Sequence, residues 1–286
     1  MPDEVGLTYH LDGDKLNRIN AFRIAEKIEE FPDLFGENKE FRPLVTIRAY
    51  GPGSVLINGN PATGNLEIPV GEGGERIEVY PHYKIEELAA DMELQEGLSV
   101  SWKDKRGERT VDSRTIPWSS PREFFLTPKR FGDLAAMAWN RGKAWNGRED
   151  CPRKLESLAK YSVKYEKPSV TEGWQRVRSI DEILKEKKAN CLDLTVWITG
   201  NCAQSGWMSK IYILGNHSMP TFGSPLNPLI LESTALVESE IAGKARKMEE
   251  ALKEGEKNYK ESIEQGGQEI DLKYWRPFYR YPNQKN

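Results

Sequence analysis

The first part of the chain carries apolar residues at a helical spacing. Between residues 14 and 31, Ile24, Ile28 and Phe31 follow one another at i, i+4 and i+7 before a proline interrupts the pattern. The spacing predicts a helix within an N-terminal helical segment that spans residues 1 to 38.

The spacing then changes to short β-prone runs separated by turns rich in Gly, Pro and Asn. These runs are Leu44–Tyr50, Ser54–Ile57, Asn65–Val70, Arg76–Tyr80, Leu98–Trp102 and Thr110–Trp118. Regularly spaced short strands of this kind favour a small β-sandwich, which we predict over residues 39 to 118. The sequence indicates no chemistry for this domain, and its position suggests that it recognises a substrate or a protein partner.

A second domain, residues 119 to 286, begins with a helical pattern and continues with strands. The predicted helices cover 131–145, 152–165, a short stretch from Ser179, and 191 to about 205; the predicted strands are 208–214 and 228–232. Ser179 and Glu182 have the spacing of a capping box, in which each side chain satisfies a free backbone N–H at the helix start. Gly206 is a suitable stop for the fourth helix.

The last part of the chain combines a charged helical pattern with an aromatic and basic tail. Residues 237 to 265 predict a helix whose apolar stripe packs on its own domain or, alternatively, on a protein partner. Residues 269 to 281 favour a strand at a sheet edge. The alternative is base stacking with nucleic acid, in which Arg276 and Arg280 would contact the backbone.

Composition narrows these alternatives. The 286 residues include 44 acidic and 41 basic side chains, for a net charge of −3, which argues against nucleic acid and anionic membranes as partners. No apolar run approaches the roughly 20 residues that span a bilayer, and the N-terminus lacks the pattern of a signal peptide. We therefore expect a soluble cytoplasmic protein without membrane contact.

Three cysteines, Cys151, Cys191 and Cys202, occur without regular spacing. An odd count argues against a disulfide framework and fits a reducing compartment. Neither Cys-x-x-Cys nor His-x-x-x-His is present, so we predict no metal site and no cofactor. Cys151 and Cys202 are expected in structural surroundings.

The third cysteine, Cys191, opens a predicted helix, and His217 and Glu232 follow it along the chain. The free N–H groups and the positive dipole end at a helix start favour a thiolate. His217 is one of only three histidines, and Glu232 can accept its second ring N–H. Taken singly, a buried cysteine, a core histidine and a solvent-facing glutamate are the commoner interpretations; their order and placement together favour a Cys-His-Glu triad. Asp193, in the first turn of the same helix, is expected to cap N–H groups.

A site of this kind also needs a donor for the oxyanion of the tetrahedral intermediate. The backbone N–H of Cys191 and the side chain of Gln175 are candidates, and the indole of Trp174 is an alternative that would also contact substrate. The residues alone do not decide between them.

Four motifs in the second domain resemble those of a known superfamily. They are Arg178–Leu184, Asn190–Leu194, Gly215–Met219 and Leu231–Thr234. Together they are similar to the transglutaminase-like superfamily of papain-like cysteine enzymes. The closest likeness is to the bacterial and archaeal branch, in which Gly-Asn-Cys-Leu-Asp or Gly-Asp-Cys-Asp precedes Gly-His-Ala and Glu-Thr-Thr. The resemblance covers about residues 121 to 236.

The resemblance implies an α+β fold, with helices packed on an antiparallel sheet in a papain-like core. It places Cys191 as the nucleophile, His217 as the base, Glu232 as the acid in place of the commoner Asp, and Gln175 at a position that often precedes the helix. Three departures occur: Ala189 stands where Gly is usual, Asn216 separates Gly215 from the histidine, and Ser218-Met219 replaces an Ala-aromatic pair.

By this resemblance the protein is a cysteine-dependent acyl-transfer enzyme, and peptidase, isopeptidase or amidase activity on a protein or peptide is favoured. Transglutaminase or deamidase activity is the first alternative. A catalytically silent binding or scaffold protein with the same fold is the second.

Overall fold

The computed structural model describes residues 5–17, 43–60, 64–80, 93–120, 122–127, 131–142, 155, 162–215, 217–224, 226–238 and 247–275. The chain divides into two compact units, Met1–Pro121 and Arg122–Asn286. Helices and mostly antiparallel sheets make up the described residues, which confirms the α+β class.

The first unit is built from strands. They are β1 (Val5–Tyr9), β2 (Val45–Ala49), β3 (Gly53–Asn60), β4 (Gly64–Val70), β5 (Glu75–Val79), β6 (Gln95–Asp104) and β7 (Gly107–Pro117). They form two antiparallel sheets, β1-β2-β5 and β4-β3-β6-β7. Residues of both sheets, among them Val45, Ile47, Val55 and Val100, share one hydrophobic cluster. Alternate residues along each strand therefore supply a common core.

The N-terminal helical prediction is wrong where the chain is described. Residues 5 to 9 form β1, which pairs with β2, and a turn follows in which Asp12 bridges Lys15 and Leu16 bridges Trp118. Leu16 is fully buried, so tertiary pairing outweighs helix propensity here. Residues 18 to 42, which hold the rest of the predicted helix, lie outside the described residues.

The second unit combines helices with short and long strands. Its elements are β8 (Glu123–Phe125), α1 (Phe131–Arg141), β9 (Lys164–Tyr165), β10 (Val170–Thr171), β11 (Trp174–Arg176), α2 (Ile180–Glu186), β12 (Lys188–Ala189), α3 (Cys191–Gln204), β13 (Met208–Leu214), β14 (His217–Ser224), β15 (Asn227–Ile230), a 3-10 helix (Ser233–Leu236), α4 (Met248–Ile263), β16 (Gln268–Asp271) and a second 3-10 helix (Leu272–Trp275).

A four-stranded antiparallel sheet, β15-β14-β13-β16, organises this unit. Helix α3 packs against β13 and β14, and α1 packs against α3. The core between α3 and the sheet includes Leu194, Ile198, Phe222 and Leu231, all fully buried. Two smaller sheets, β10-β11-β8 and the parallel pair β12-β9, lie before α3 in sequence.

Most predicted elements of this unit occur, with shifted bounds. Helices α2 and α3 begin where predicted, and β13 is confirmed. The predicted helix 152–165 is wrong at its end, because residues 164–165 form β9; residue 155 is helical, and most of the others lie outside the described residues. The helix predicted from residue 237 is observed from Met248 onward. Residues 239–246 lie outside the described residues.

Strand β14 was not among the predicted strands, and it contains Pro220, a residue that is uncommon inside a central strand. Pro220 is opposite Ile211 of β13, while pairing with β15 begins only at the next residue, Thr221. Proline, which has no backbone N–H, is therefore tolerated at the position where the pairing of β14 with β15 ends. Strand β16 occupies the sheet edge, as predicted. The strand prediction for residues 269–281 is wrong beyond Asp271, because residues 272–275 form a 3-10 helix, and the residues from 276 onward lie outside the described residues.

Helix α4 packs on its own unit. Met248 and Ala251 are buried in the core around α3, and Leu252 packs against it. Tyr259 makes an edge contact with Tyr212 of β13 at 4.8 Å between ring centroids. None of the helices in the described ranges combines the length and apolarity needed to cross a bilayer.

Candidate functional site

The start of α3 is fixed by a capping box. The Asn190 side chain accepts the N–H of Asp193 at 2.9 Å, and the Asp193 carboxylate accepts the N–H of Asn190 at 3.0 Å. This reciprocal pair makes Cys191 the first helical residue. Its N–H has no partner within the helix, and its side chain sits at the positive end of the helix dipole.

Asp193 has the structural role expected of it. Its carboxylate is fully buried and also accepts the backbone N–H of Arg178 at 2.7 Å and the guanidinium at 3.0 Å. Burial raises the pKa of Asp193, although these hydrogen bonds oppose the shift. Arg178 also binds Glu166 and Glu186, so a charged network holds α2, α3 and the residue after β9 together.

His217 stands at the start of β14, beside the helix start. It pairs with Leu214 across the β13–β14 hairpin, in which Gly215 adopts a φ of 53°. Its Nε2 lies 2.8 Å from Oε2 of Glu232, and it lines the same cavity as Cys191, whose side chain is near enough to affect the pKa of the imidazole. The structure therefore brings together the three residues of the predicted triad.

The charges around His217 favour the imidazolium. Burial alone lowers the pKa of His217, but the hydrogen bonds and negative charges of Cys191 and Glu232 outweigh burial and raise it from 6.5 to about 10. For Glu232, burial raises the pKa, yet hydrogen bonds from His217 and two neutral side chains hold it below its ordinary value. The pair is thus an ion pair at neutral pH.

Those two neutral side chains, Thr234 and Asn258, fix the carboxylate of Glu232. The Thr234 hydroxyl donates to Oε1, and the Asn258 amide donates to Oε2 at 2.9 Å. Oε2 is the oxygen that faces His217. Both carboxylate oxygens are therefore oriented before any proton moves.

Helix α4 supplies Asn258 and comes close to the segment after β15, where Glu232 caps the 3-10 helix Ser233–Leu236 instead of ending the strand predicted over residues 228–232. The N–H of Glu232 donates to the Ala251 carbonyl at 3.1 Å. A Cβ on Gly255 would lie 2.3 Å from the Ile230 carbonyl oxygen and 2.7 Å from the Glu232 nitrogen. A larger residue at position 255 would clash with this backbone, so glycine is required there. It allows α4 to approach Glu232.

Gln175 lies on β11 opposite Phe124 of β8 and is 5% exposed. It lines the same cavity as Cys191 and His217, and none of the described residues accepts a hydrogen bond from its Nε2. A buried amide N–H without an acceptor costs about 1–3 kcal/mol of folding stability. This cost is explained if the amide donates to an oxygen of a bound substrate.

The side chain of Trp174 lies on the opposite face of β11 from that of Gln175. Successive strand residues point to opposite faces, and Trp174 packs edge-on against Phe125 at 5.0 Å. It is not among the described residues that line the cavity. Of the two side-chain donors suggested by the sequence, the structure brings only Gln175 to the thiol.

Tyr165 is a member of the site that the sequence did not reveal. It lies on β9 opposite Ala189 of β12, close enough to Cys191 for the two side chains to interact electrostatically. Burial and the negative charges of Cys191, Glu232 and Asp193 raise the pKa of Tyr165. The phenol therefore stays protonated beside the thiol.

The cavity beside these groups has a volume of about 370 Å³. That is within the range of small-molecule sites. Ser218, one of the three departures from the family motif, is buried and lines it. The described residues hold no cluster of three or more His, Cys, Asp or Glu side chains suited to a metal ion.

The other cysteines have no part in this arrangement where they are described. Cys202 is fully buried in the core between α3 and the sheet, as predicted. Cys151 lies outside the described residues.

Comparisons with protein-family models, with curated proteins and with solved structures found no match for this chain. The function must therefore be argued from the residues and their geometry.

Proposed function

We propose that this protein is a cysteine-dependent acyl-transfer enzyme of the transglutaminase-like type, acting as a peptidase, isopeptidase or amidase. In this proposal Cys191 is the nucleophile, His217 the general acid and base, and Glu232 the residue that orients the imidazole. The observation that carries it is that Cys191 and His217 line one cavity and that the imidazole of His217 lies 2.8 Å from the carboxylate of Glu232.

The architecture around the thiol supports the same proposal. The nucleophile opens a helix that packs on an antiparallel sheet, and the two other triad residues come from the sheet's strands or their ends. This is the arrangement that a papain-like core would provide. The sequence motifs and the placement of these elements are independent arguments for one assignment.

The reaction we propose has two steps. The thiolate attacks a carboxamide carbonyl in the cavity and forms a C–S bond; His217 then gives its proton to the nitrogen as the C–N bond breaks. Water attacks the thioester, His217 takes its proton, and the sulfur leaves as thiolate. The amide of Gln175 and the N–H of Cys191 would donate to the oxyanion in both steps.

Tyr165 completes this scheme on the other side of the sulfur. Its hydroxyl would donate to the thiolate in the resting enzyme and release it as the C–S bond forms. We expect the phenol to stabilise the thiolate–imidazolium pair without taking part in proton transfer.

The state of the cysteines bears on the cellular compartment of the protein. Cys191 and Cys202 are free and buried, a state that reducing conditions maintain. We therefore propose a cytoplasmic enzyme that acts on a protein or peptide.

The first test is the alkylation rate of each cysteine by iodoacetamide between pH 5 and 9, read by peptide mass spectrometry. We expect Cys191 to react fast below pH 8 and to slow at least about tenfold in His217→Ala, while Cys202 reacts slowly in both. Equal and pH-independent behaviour of Cys191 in the two proteins would support the silent scaffold instead.

The second test separates hydrolysis from transfer. The enzyme is incubated with fluorogenic peptide amides with and without glycine methyl ester, and Cys191→Ala is the control. Free acid as the main product in the presence of the amine supports a hydrolase, whereas a dominant amide product would make the protein a transglutaminase.

A further inference from the structure

The cavity that adjoins Cys191 has a composition that selects among substrates. We propose that it is an acyl-side pocket for one uncharged, mainly apolar side chain next to the carbonyl that Cys191 attacks. This inference rests on the proposed function and names the class of substrate for that site.

The depth of the cavity is apolar. Phe124, Leu134 and Leu192 line it and are almost completely buried. Leu126 and Val170 also line it but are 44% and 48% exposed. The apolar lining thus includes both buried and solvent-exposed side chains, so a ligand that enters from solvent can bury apolar surface against it.

Apart from the proposed thiolate–imidazolium pair of Cys191 and His217, the polar groups of the cavity carry no charge. Among the described lining residues they are Thr127, Gln175, Ser218 and Gln268, with no Asp, Glu, Lys or Arg. The charge of His217 already faces Glu232. A carboxylate or ammonium in the apolar part of the cavity would lose its hydration without gaining an oppositely charged partner among Asp, Glu, Lys or Arg, which disfavours its binding.

The volume limits the size of the group. About 370 Å³ is near the lower end of the range for ligand pockets, which suits a single side chain such as leucine, methionine or phenylalanine. Because Cys191 and Gln175 share the wall, the carbonyl of that residue would lie beside both the nucleophile and the oxyanion donor.

The experiment measures the second-order alkylation rate of Cys191 by four N-substituted chloroacetamides, each divided by its rate with glutathione. The substituents are isobutyl, benzyl, carboxymethyl and aminoethyl. We expect the two apolar probes to react at least about tenfold faster than either charged probe. Equal rates, or faster reaction of a charged probe, would overturn the inference.

A variant at an exposed part of the lining tests the cause of the selectivity. Val170→Lys places an ammonium at an exposed lining position, so the carboxymethyl probe should gain several-fold while the apolar probes lose. Leu226→Lys is the matched control, because Leu226 is 96% exposed and is not among the cavity's described lining residues. A similar change in both variants would mean that surface charge alone sets the rates.

Binding without chemistry distinguishes failure of this inference from failure of the proposed function. In Cys191→Ala, saturation-transfer NMR should show N-acetylphenylalaninamide bound and N-acetylaspartamide unbound, and Val170→Lys should weaken the first signal. This result together with an inert Cys191 would retain the pocket and reject the enzyme. A reactive Cys191 with no apolar preference in either assay would do the reverse.

Discussion

The start of α3 and the end of β15 each bury a carboxylate, and the two carboxylates have different partners. Asp193 is bound by Arg178, whose charge does not change with pH, and by two backbone N–H groups. Glu232 faces His217, whose charge does change. The first region fixes the start of the helix that carries Cys191. In the second region, His217 can gain or lose a proton.

The pKa directions agree with this division. Complete burial keeps the pKa of Asp193 raised in spite of its partners, so the carboxylate depends on every hydrogen bond that it accepts. The pKa of Glu232 is lowered, so the acid remains charged and keeps the imidazole protonated. Breaking the first region should therefore damage stability, and breaking the second should damage activity.

The largest effect is expected from Glu232→Gln. The amide cannot stabilise the imidazolium of His217, so hydrolysis of a peptide amide should fall by about 10³- to 10⁴-fold while circular dichroism shows an unchanged fold. The corresponding carboxylate-to-amide change in the first region, Asp193→Asn, should lower the urea midpoint of unfolding. Each folded molecule of that variant should retain more activity than Glu232→Gln. Glu232→Gln with more than a tenth of the original turnover would remove Glu232 from the triad.

The next effect concerns stability alone. Arg178→Met leaves Asp193 buried without its cation, which should lower the free energy of unfolding by about 3–5 kcal/mol in urea denaturation. Arg176→Met is the control, because Arg176 is half-exposed and binds Glu182 near the surface; its cost should stay below about 1 kcal/mol. Equal costs would mean that Asp193 does not depend on Arg178.

A third prediction is the pH dependence of the pair in the second region. The pKa of His217 is raised from 6.5 to about 10, so its contribution is complete below pH 6.5 and is lost as the pH rises through 10. Glu232 contributes above its ordinary pKa and loses this as the pH falls through its lowered value. The difference in unfolding free energy between the wild type and His217→Gln should thus shrink by on the order of 4 kcal/mol from pH 6 to pH 10.

Chemical denaturation at pH 6, 8 and 10 measures this difference. Repeating the pair of measurements in a Glu232→Gln background should flatten the slope, because the carboxylate and Cys191 are the groups that raise the pKa of His217. A difference that grows with pH would contradict the ion pair.

The sequence predicted the parts of the site that local signals encode. Asp193 was expected to cap N–H groups at the start of the helix that Cys191 opens, and the structure adds that Asn190 completes a capping box with it. The order of His217 and Glu232 in a hairpin pattern was enough to pair them. Gln175 could be named as one of two candidates, but choosing it over Trp174 needed the direction of β11, which the sequence does not give.

The groups that surround the triad had no local signal. Asn258 is 26 residues from Glu232 along the chain and sits in a charged helix, and Tyr165 reaches the thiol only through the parallel pairing of β9 with β12. The same cause applies to β1 and β14, which pair with strands that are distant or adjacent in sequence and which were not predicted. Long-range backbone pairing decides these positions.

The smallest effect expected is also the most specific test of how the second region is built. Asn258→Ala removes one donor from Oε2 of Glu232 but leaves His217 and Thr234 in contact, so kcat should fall about tenfold with KM unchanged, the value of one hydrogen bond. Lys257→Ala, at an exposed position of the same helix, should change neither constant. Asn258→Asp should be worse than Asn258→Ala, because a second carboxylate would then face Glu232. If Asn258→Ala and Lys257→Ala behave alike, the orientation of the acid is set by Thr234 and the backbone, and the close approach of α4 at Gly255 serves packing alone.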